Sequence, residues 1–277
     1  MSKSIEPGTT EIMCEILIHA PDQDVMRAIL DPRSQSTWMQ ARTDFRAETG
    51  APFRIVWEDP AFPGSIAGTV LDLHVSRRRV LSWQQTGSPA VTQVSLSATP
   101  TEGGTLVTLR HSGFPVDASW TGARDIIRSD WEKTLVNLRF FVEEGGLDHE
   151  PSTIRVYSSV GAPAERSYQV WFDPVHLTAW WLREARIDPH EGGGLEFVLP
   201  DGSAIQGEIL LLQKHRHIRW RWDDAGTRSM VAISFWPLDS GSRITLTHTT
   251  FGLPPQRLRA YESLWDACFQ DLGRYLG

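Results

Sequence analysis

Between Glu11 and Ala20 the chain alternates Ile12, Cys14, Ile16 and Ile18 with Met13, Glu15, Leu17 and His19. A period of two is the mark of a strand with one buried face. Proline then opens a short helical pattern, Pro21 to Leu30, in the first-turn position where its missing N–H costs nothing, and Asp31-Pro32 ends it. Short alternating segments follow, such as Phe53, Ile55 and Trp57, each set off by glycine or proline, which predicts an antiparallel meander. A longer pattern closes the run. Ile127, Trp131, Leu135, Leu138 and Val142 fall at spacings of three and four and so share one face of a helix.

The same succession then begins again. Ala20-Pro21, Asp31-Pro32 and Trp38 recur as Ala162-Pro163, Asp173-Pro174 and Trp180, at an offset of 142 (163 − 21). Gly68 and Trp83 recur as Gly207 and Trp222 at 139 (207 − 68), His111 and Phe114 as His248 and Phe251 at 137 (248 − 111), and Trp131 as Trp265 at 134 (265 − 131). Order is kept while the offset drifts, as loop-length changes between two copies of one unit would produce. Ile154 and Val156 begin the second first-strand, Pro163 to Phe172 its short helix, and Leu195, Phe197 and Leu199 part of its meander. Tyr261, Trp265, Cys268, Leu272 and Tyr275 mark its closing helix. The break falls near Glu144–Pro151, where helical periodicity stops, which predicts domains at 1–146 and 147–277. A sheet with one apolar face and one long amphipathic helix must bury them against each other, an α+β arrangement that often leaves a hollow beside the helix.

Composition narrows the setting. Apolar residues make up 40% and charged ones 22%, and no stretch approaches the length of a membrane span. The opening Met1 to Thr10 lacks the basic start and apolar middle of a secretory signal, so a cytoplasmic location is expected. A net charge of −7 opposes binding to nucleic acid, and the run Arg77-Arg78-Arg79 reads as a solvated turn. Two cysteines, Cys14 and Cys268, cannot staple a chain of this size and read as free buried thiols.

The string Leu109-Arg110-His111-Ser112-Gly113-Phe114-Pro115, the Ala-Pro, Asp-Pro, Trp-Met or Trp-Trp opening and the Trp131 and Trp265 helices resemble the AHSA-type (activator of heat-shock chaperone ATPase) branch of the START-like (SRPBCC) superfamily. The resemblance covers nearly all of both copies. It implies two tandem helix-grip domains, the birch-pollen-allergen-like fold, in which about seven strands curl around the final helix and enclose an apolar cavity. Relatives range from hormone and lipid carriers to polyketide aromatase/cyclases, so the fold does not name an activity. Chaperone ATPase activation is disfavoured, because a second copy takes the place of the separate N-terminal domain of the eukaryotic activators.

His111 shares strand parity with Val107 and Leu109, and His248 with Ile244 and Leu246, which points both imidazoles inward. They are the candidates for acid–base chemistry, although a core histidine bonded to a neighbour would show the same pattern. The 12 tryptophans supply candidate walls for a flat apolar ligand: Trp38, Met39, Trp57, Trp83 and Trp131 in one copy, and Trp180, Trp181, Trp220, Trp222 and Trp265 in the other. Arg54, Arg110, Arg219 and Arg221 have outward parity, as do Glu58 and Glu196. His215 and His217 could offer two ligands from one strand face but lack a third, so no metal is expected. Nothing signals a cofactor: no serine elbow or phosphate loop occurs, and Gly192-Gly193-Gly194 enters a strand, not a helix. The expectation is a carrier of a small hydrophobic molecule, aromatic or polycyclic, with a cyclase, dehydratase or hydrolase acting on an enclosed substrate as the alternative. One copy having lost its cavity and serving as an interaction surface is a third outcome, and the sequence does not say which copy. A homodimer is compatible with it, and membrane insertion is not expected.

Overall fold

The computed structural model describes residues 11–57, 64–115 and 119–277, so the predicted outward Glu58 lies outside the described residues. The chain falls into two compact units, the first ending at Asp148 and the second spanning His149–Gly277. In the first, β1 (Ile12–Ile18) is followed by helices α1 (Asp22–Leu30) and α2 (Pro32–Trp38). Strands β2 (Arg42–Asp44), β3 (Pro52–Trp57), β4 (Gly64–His74), β5 (Arg78–Gln85), β6 (Thr92–Thr101) and β7 (Gly104–Ser112) come next, and α3 (Ser119–Glu143) closes the unit. The second repeats the plan as β8 (Pro151–Val160), α4 (Ala164–Phe172), α5 (Pro174–Trp180), β9 (Glu184–Ile187), β10 (Gly194–Val198), β11 (Ala204–Gln213), β12 (His217–Asp224), β13 (Thr227–Leu238), β14 (Gly241–Phe251) and α6 (Pro255–Leu276). Each sheet has seven antiparallel strands, in the order β1-β7-β6-β5-β4-β3-β2 and β8-β14-β13-β12-β11-β10-β9.

The registers agree pair by pair. His111 lies opposite Ile12 and Val94, and His248 opposite Ile154 and Val231. A bulge between Val70 and Asp72 recurs between Ile209 and Leu211. Phe53 faces Gly68 as Leu195 faces Gly207, and both glycines are demanded by closeness: a Cβ on Gly68 would lie 2.0 Å from the Ser82 carbonyl oxygen, and one on Gly207 2.0 Å from that of Arg221. Every inner position of one sheet therefore has a defined counterpart in the other.

Pro21 and Pro163 stand one position earlier than the pattern predicts, as extended N-caps, and not inside the helix. Asp31 and Asp173 do more than end a helix. Each also accepts a backbone N–H of the next, from Ser34 at 2.7 Å and from Val175 at 2.9 Å, so that α2 and α5 turn the corner. The indole N–H of Trp38 donates to the Ala28 carbonyl and that of Trp180 to the Val170 carbonyl, both at 3.0 Å, which ties the two short helices together in each unit.

Three expectations need correction. Arg79 is not in a solvated turn: β5 begins at Arg78, and Arg79 sits opposite Leu96 on the inner face, 1% exposed. Arg219 has outward parity but is buried, donating to the Ile218 and Ile233 carbonyls, on a sheet face where Met230 and Ala232 are buried too. His215 lies at φ 63° in the turn before β12, so it shares no strand face with His217. Arg54, Arg110 and Glu196 are exposed, and both cysteines are free and buried. Among the described residues, no helix is long and apolar enough to cross a membrane.

Candidate functional site

The inward histidines sit at the same node of each unit. Trp131 on α3 donates its indole N–H to His111 Nδ1 at 3.0 Å, which leaves the ring proton on Nε2. His111 Nε2–H then donates to Thr92 Oγ1 at 2.8 Å, and the threonine hydroxyl donates to the Trp83 carbonyl at 2.9 Å. In the second unit Trp265 donates to His248 Nδ1 at 2.9 Å, His248 Nε2–H donates to Ser229 Oγ at 2.7 Å, and the serine donates to the Trp222 carbonyl at 3.2 Å. Each chain crosses from the final helix over three strands with every donor matched to an acceptor. Burial pulls both imidazoles down to about 3 from their ordinary 6.5, so the neutral form that this pattern requires is the one present near pH 7.

Around this shared node the interiors differ. At the centre of the second unit, Trp171 on α4 lies 5.1–6.3 Å, centroid to centroid, from Trp180, Trp181, Trp220 and Phe269. All five are buried, and the cluster continues through Trp181 to Trp265 and Trp222. The counterparts in the first unit are Ile29 for Trp171, Trp38 for Trp180, Met39 for Trp181, Leu81 for Trp220 and Leu135 for Phe269. Five rings become one. The β2–β3 edge differs as well: Phe45, Phe53 and Trp57 stand in place of Ile187, Leu195 and Leu199, while Ile55 stands in place of Phe197. Phe53 packs 6.1 Å from Trp83, and Trp83 5.2 Å from Trp131, so the first unit carries a ringed wall beside an aliphatic centre.

The histidine end is also shut differently. In the second unit Asp224 Oδ2 accepts from Tyr261 Oη and Arg257 Nη2, both at 2.8 Å, and Arg257 also reaches Thr227, clasping the start of α6 to the β12–β13 hairpin. The counterparts in the first unit are Gln85, Ile127 and Ala123, which cannot form this clasp. Trp222, His248 and Trp265 are each 0% exposed, and Trp83, His111 and Trp131 are buried as well, at 9%, 3% and 5%.

Residues 19–143 and 161–277 each match the family described as "Activator of Hsp90 ATPase homolog 1-like protein". The chain belongs to this family. It carries the family's domain twice, in the α+β helix-grip form of the START-like superfamily. No curated protein matches the chain in sequence. Solved structures similar to it include the di-domain ARO/CYC BexL of the BE-7585A biosynthetic pathway, 15% identical over 96% of this chain and 98% of that one, with a TM-score of 0.46. DynU16, of the dynemicin biosynthetic locus, is 16% identical over 97% and 99%, with a TM-score of 0.43. MLL2253 from Mesorhizobium loti is 22% identical over 48% and 96%, with a TM-score of 0.44.

Against this family frame the candidate residues sort by what their polar atoms do. The indole N–H groups of Trp38, Trp131, Trp180 and Trp265 are committed to the bonds described, and that of Trp57 donates to the Met39 carbonyl at 3.2 Å. Trp181 and Trp220 are buried with no acceptor for their N–H groups, among rings. Thr92 and Ser229 were not singled out from the sequence, although they are hydroxyl residues at the same offset of 137 as the histidines they serve (229 − 92). The Arg257–Asp224–Tyr261 clasp and Arg79 were also missed. Among the described residues, no cluster of His, Cys, Asp and Glu could hold a metal.

Proposed function

We propose that this protein binds one small apolar aromatic molecule in its first unit, between the β-sheet and α3, and that the second unit is a filled copy. The observation that carries this reading is the Trp171 cluster and its aliphatic replacement. Five contacting rings occupy the centre of one frame, and Ile29, Met39, Leu81 and Leu135 with a single tryptophan occupy the same five places in the other. A flat aromatic ligand would take the place of the missing rings, stacked against the Phe53–Trp83–Trp131 wall. At the Trp83–His111 end the clasp is absent and Phe114, its ring 4.4 Å from that of His111, is the cover that such a ligand would displace on entry.

In this reading the histidines position structure and do not move protons. A base whose pKa is near 3 is poorly matched to chemistry at neutral pH, and both its nitrogens already serve the helix-to-sheet chain. The test is a fluorescence titration with the neutral dye N-phenyl-1-naphthylamine. The unaltered protein should bind one equivalent. Ile29→Trp and Met39→Trp, which install the residues that the second unit accommodates at these places, should abolish binding while leaving the protein folded. Undiminished binding in both variants would overturn the proposal.

A further inference from the structure

Arg79 is the one guanidinium on the inner face of the first sheet among the described residues, and the second unit fills the corresponding position without a charge. The second unit puts Ile218 at the same place, fully buried, in the same register opposite Ile233 as Arg79 is opposite Leu96. A buried charge is costly unless paired. The side chain is 1% exposed, and what it has is thin: Nη1 donates to the Ile29 carbonyl at 2.9 Å, and the guanidinium carbon sits 5.1 Å from the centre of the Phe45 ring. Its Nε has no acceptor, and no carboxylate among the described residues reaches it. Burial draws it down to about 9, which leaves it protonated at neutral pH.

Its location gives this charge a use. Ile29, whose carbonyl it holds, is the residue standing where Trp171 centres the ring cluster of the second unit, so the cation sits beside the place where the first unit has aliphatic side chains and the second has rings. We propose that Arg79 anchors an anionic oxygen, a carboxylate, phenolate or enolate, on the aromatic ligand of the first unit, with Nε and the free side of the guanidinium as donors. The ligand class is thereby narrowed from any flat hydrocarbon-like molecule to an aromatic or polycyclic acid. This inference rests on the ligand reading above, and the two can fail separately.

The experiment compares two dyes of one skeleton: neutral N-phenyl-1-naphthylamine and 8-anilinonaphthalene-1-sulfonate, which adds an anionic group. The unaltered protein should bind the sulfonate more tightly. Arg79→Ile, the residue the second unit uses, should weaken the sulfonate on the order of 10- to 100-fold and leave the neutral dye within about twofold, and Arg79→Lys should recover part of the loss. Equal loss of both dyes, or loss of neither, overturns the role of Arg79 and leaves the cavity reading intact. Binding of neither dye by the unaltered protein overturns the cavity reading itself. Should Arg79→Ile fail to fold, the unaltered protein still decides: 1-naphthoate should displace the neutral dye at least tenfold better than 1-naphthamide, and equal displacement refutes the anchor.

Discussion

Replacing His248 with glutamine removes one titrating group from the interior of the second unit, and the consequence should depend on pH in a calculable way. Folded, the His248 imidazole is held neutral, with its pKa drawn down to about 3 by burial; unfolded, it returns to 6.5. Below pH 6.5 the unfolded chain therefore binds a proton that the folded chain refuses. Stability is lost as the pH falls from 6.5 toward 3, at about 1.4 kcal/mol per pH unit. Between pH 7 and pH 5 this single group should cost about 2 kcal/mol, a large share of the roughly 5–15 kcal/mol that holds a domain folded. At pH 7, His248→Gln should destabilise the protein by roughly 1–3 kcal/mol, because the Trp265 N–H loses a well-placed acceptor. At pH 5 that penalty should shrink by about 2 kcal/mol, since the variant has no imidazole to protonate. Urea unfolding followed by tryptophan fluorescence at both pH values measures the two differences, and the remaining histidines cancel in the comparison. An equal penalty at pH 7 and pH 5, or a native-state imidazole signal for His248 that titrates near 6.5, would refute the reasoning.

Three further outcomes are expected. Trp171→Ala should cost roughly 3–5 kcal/mol, as deletion of a buried ring does, and should create a second dye site, in the second unit, read by the stoichiometry of N-phenyl-1-naphthylamine. Tyr261→Phe removes one bond to Asp224 and should lower the melting free energy of the second unit by about 1–2 kcal/mol without changing dye affinity at the first. Cys14, whose thiol burial pushes up to about 11, and Cys268, raised for the same reason, should resist a disulfide reagent at pH 8 until urea unfolds the chain.

Much of the architecture was legible because duplication wrote it twice. The landmarks at offsets 142, 139, 137 and 134 required the same strands in the same order, and alternation around His111 and His248 placed both imidazoles inside, where they are. What alternation could not reveal was partnership. Thr92 and Ser229 look like ordinary strand residues until the register of β6 against β7, and of β13 against β14, brings each hydroxyl to its imidazole. Arg79 was misjudged for a different reason: arginine type and neighbours spoke for solvent, and only the point at which β5 begins decides that it faces in. The contrast between the two interiors was present in the letters, yet it carried meaning only once Trp171, Trp181, Trp220 and Phe269 were seen to touch one another.

The most direct test of the account is where a bound aromatic molecule lies. Isotope-filtered NOEs between N-phenyl-1-naphthylamine and methyl-labelled full-length protein should connect the dye to the methyl groups of Ile29, Leu81 and Leu135. NOEs to Ile218, Val231 and Leu272 of the second unit, with none to those three, would contradict the assignment of the ligand to the first.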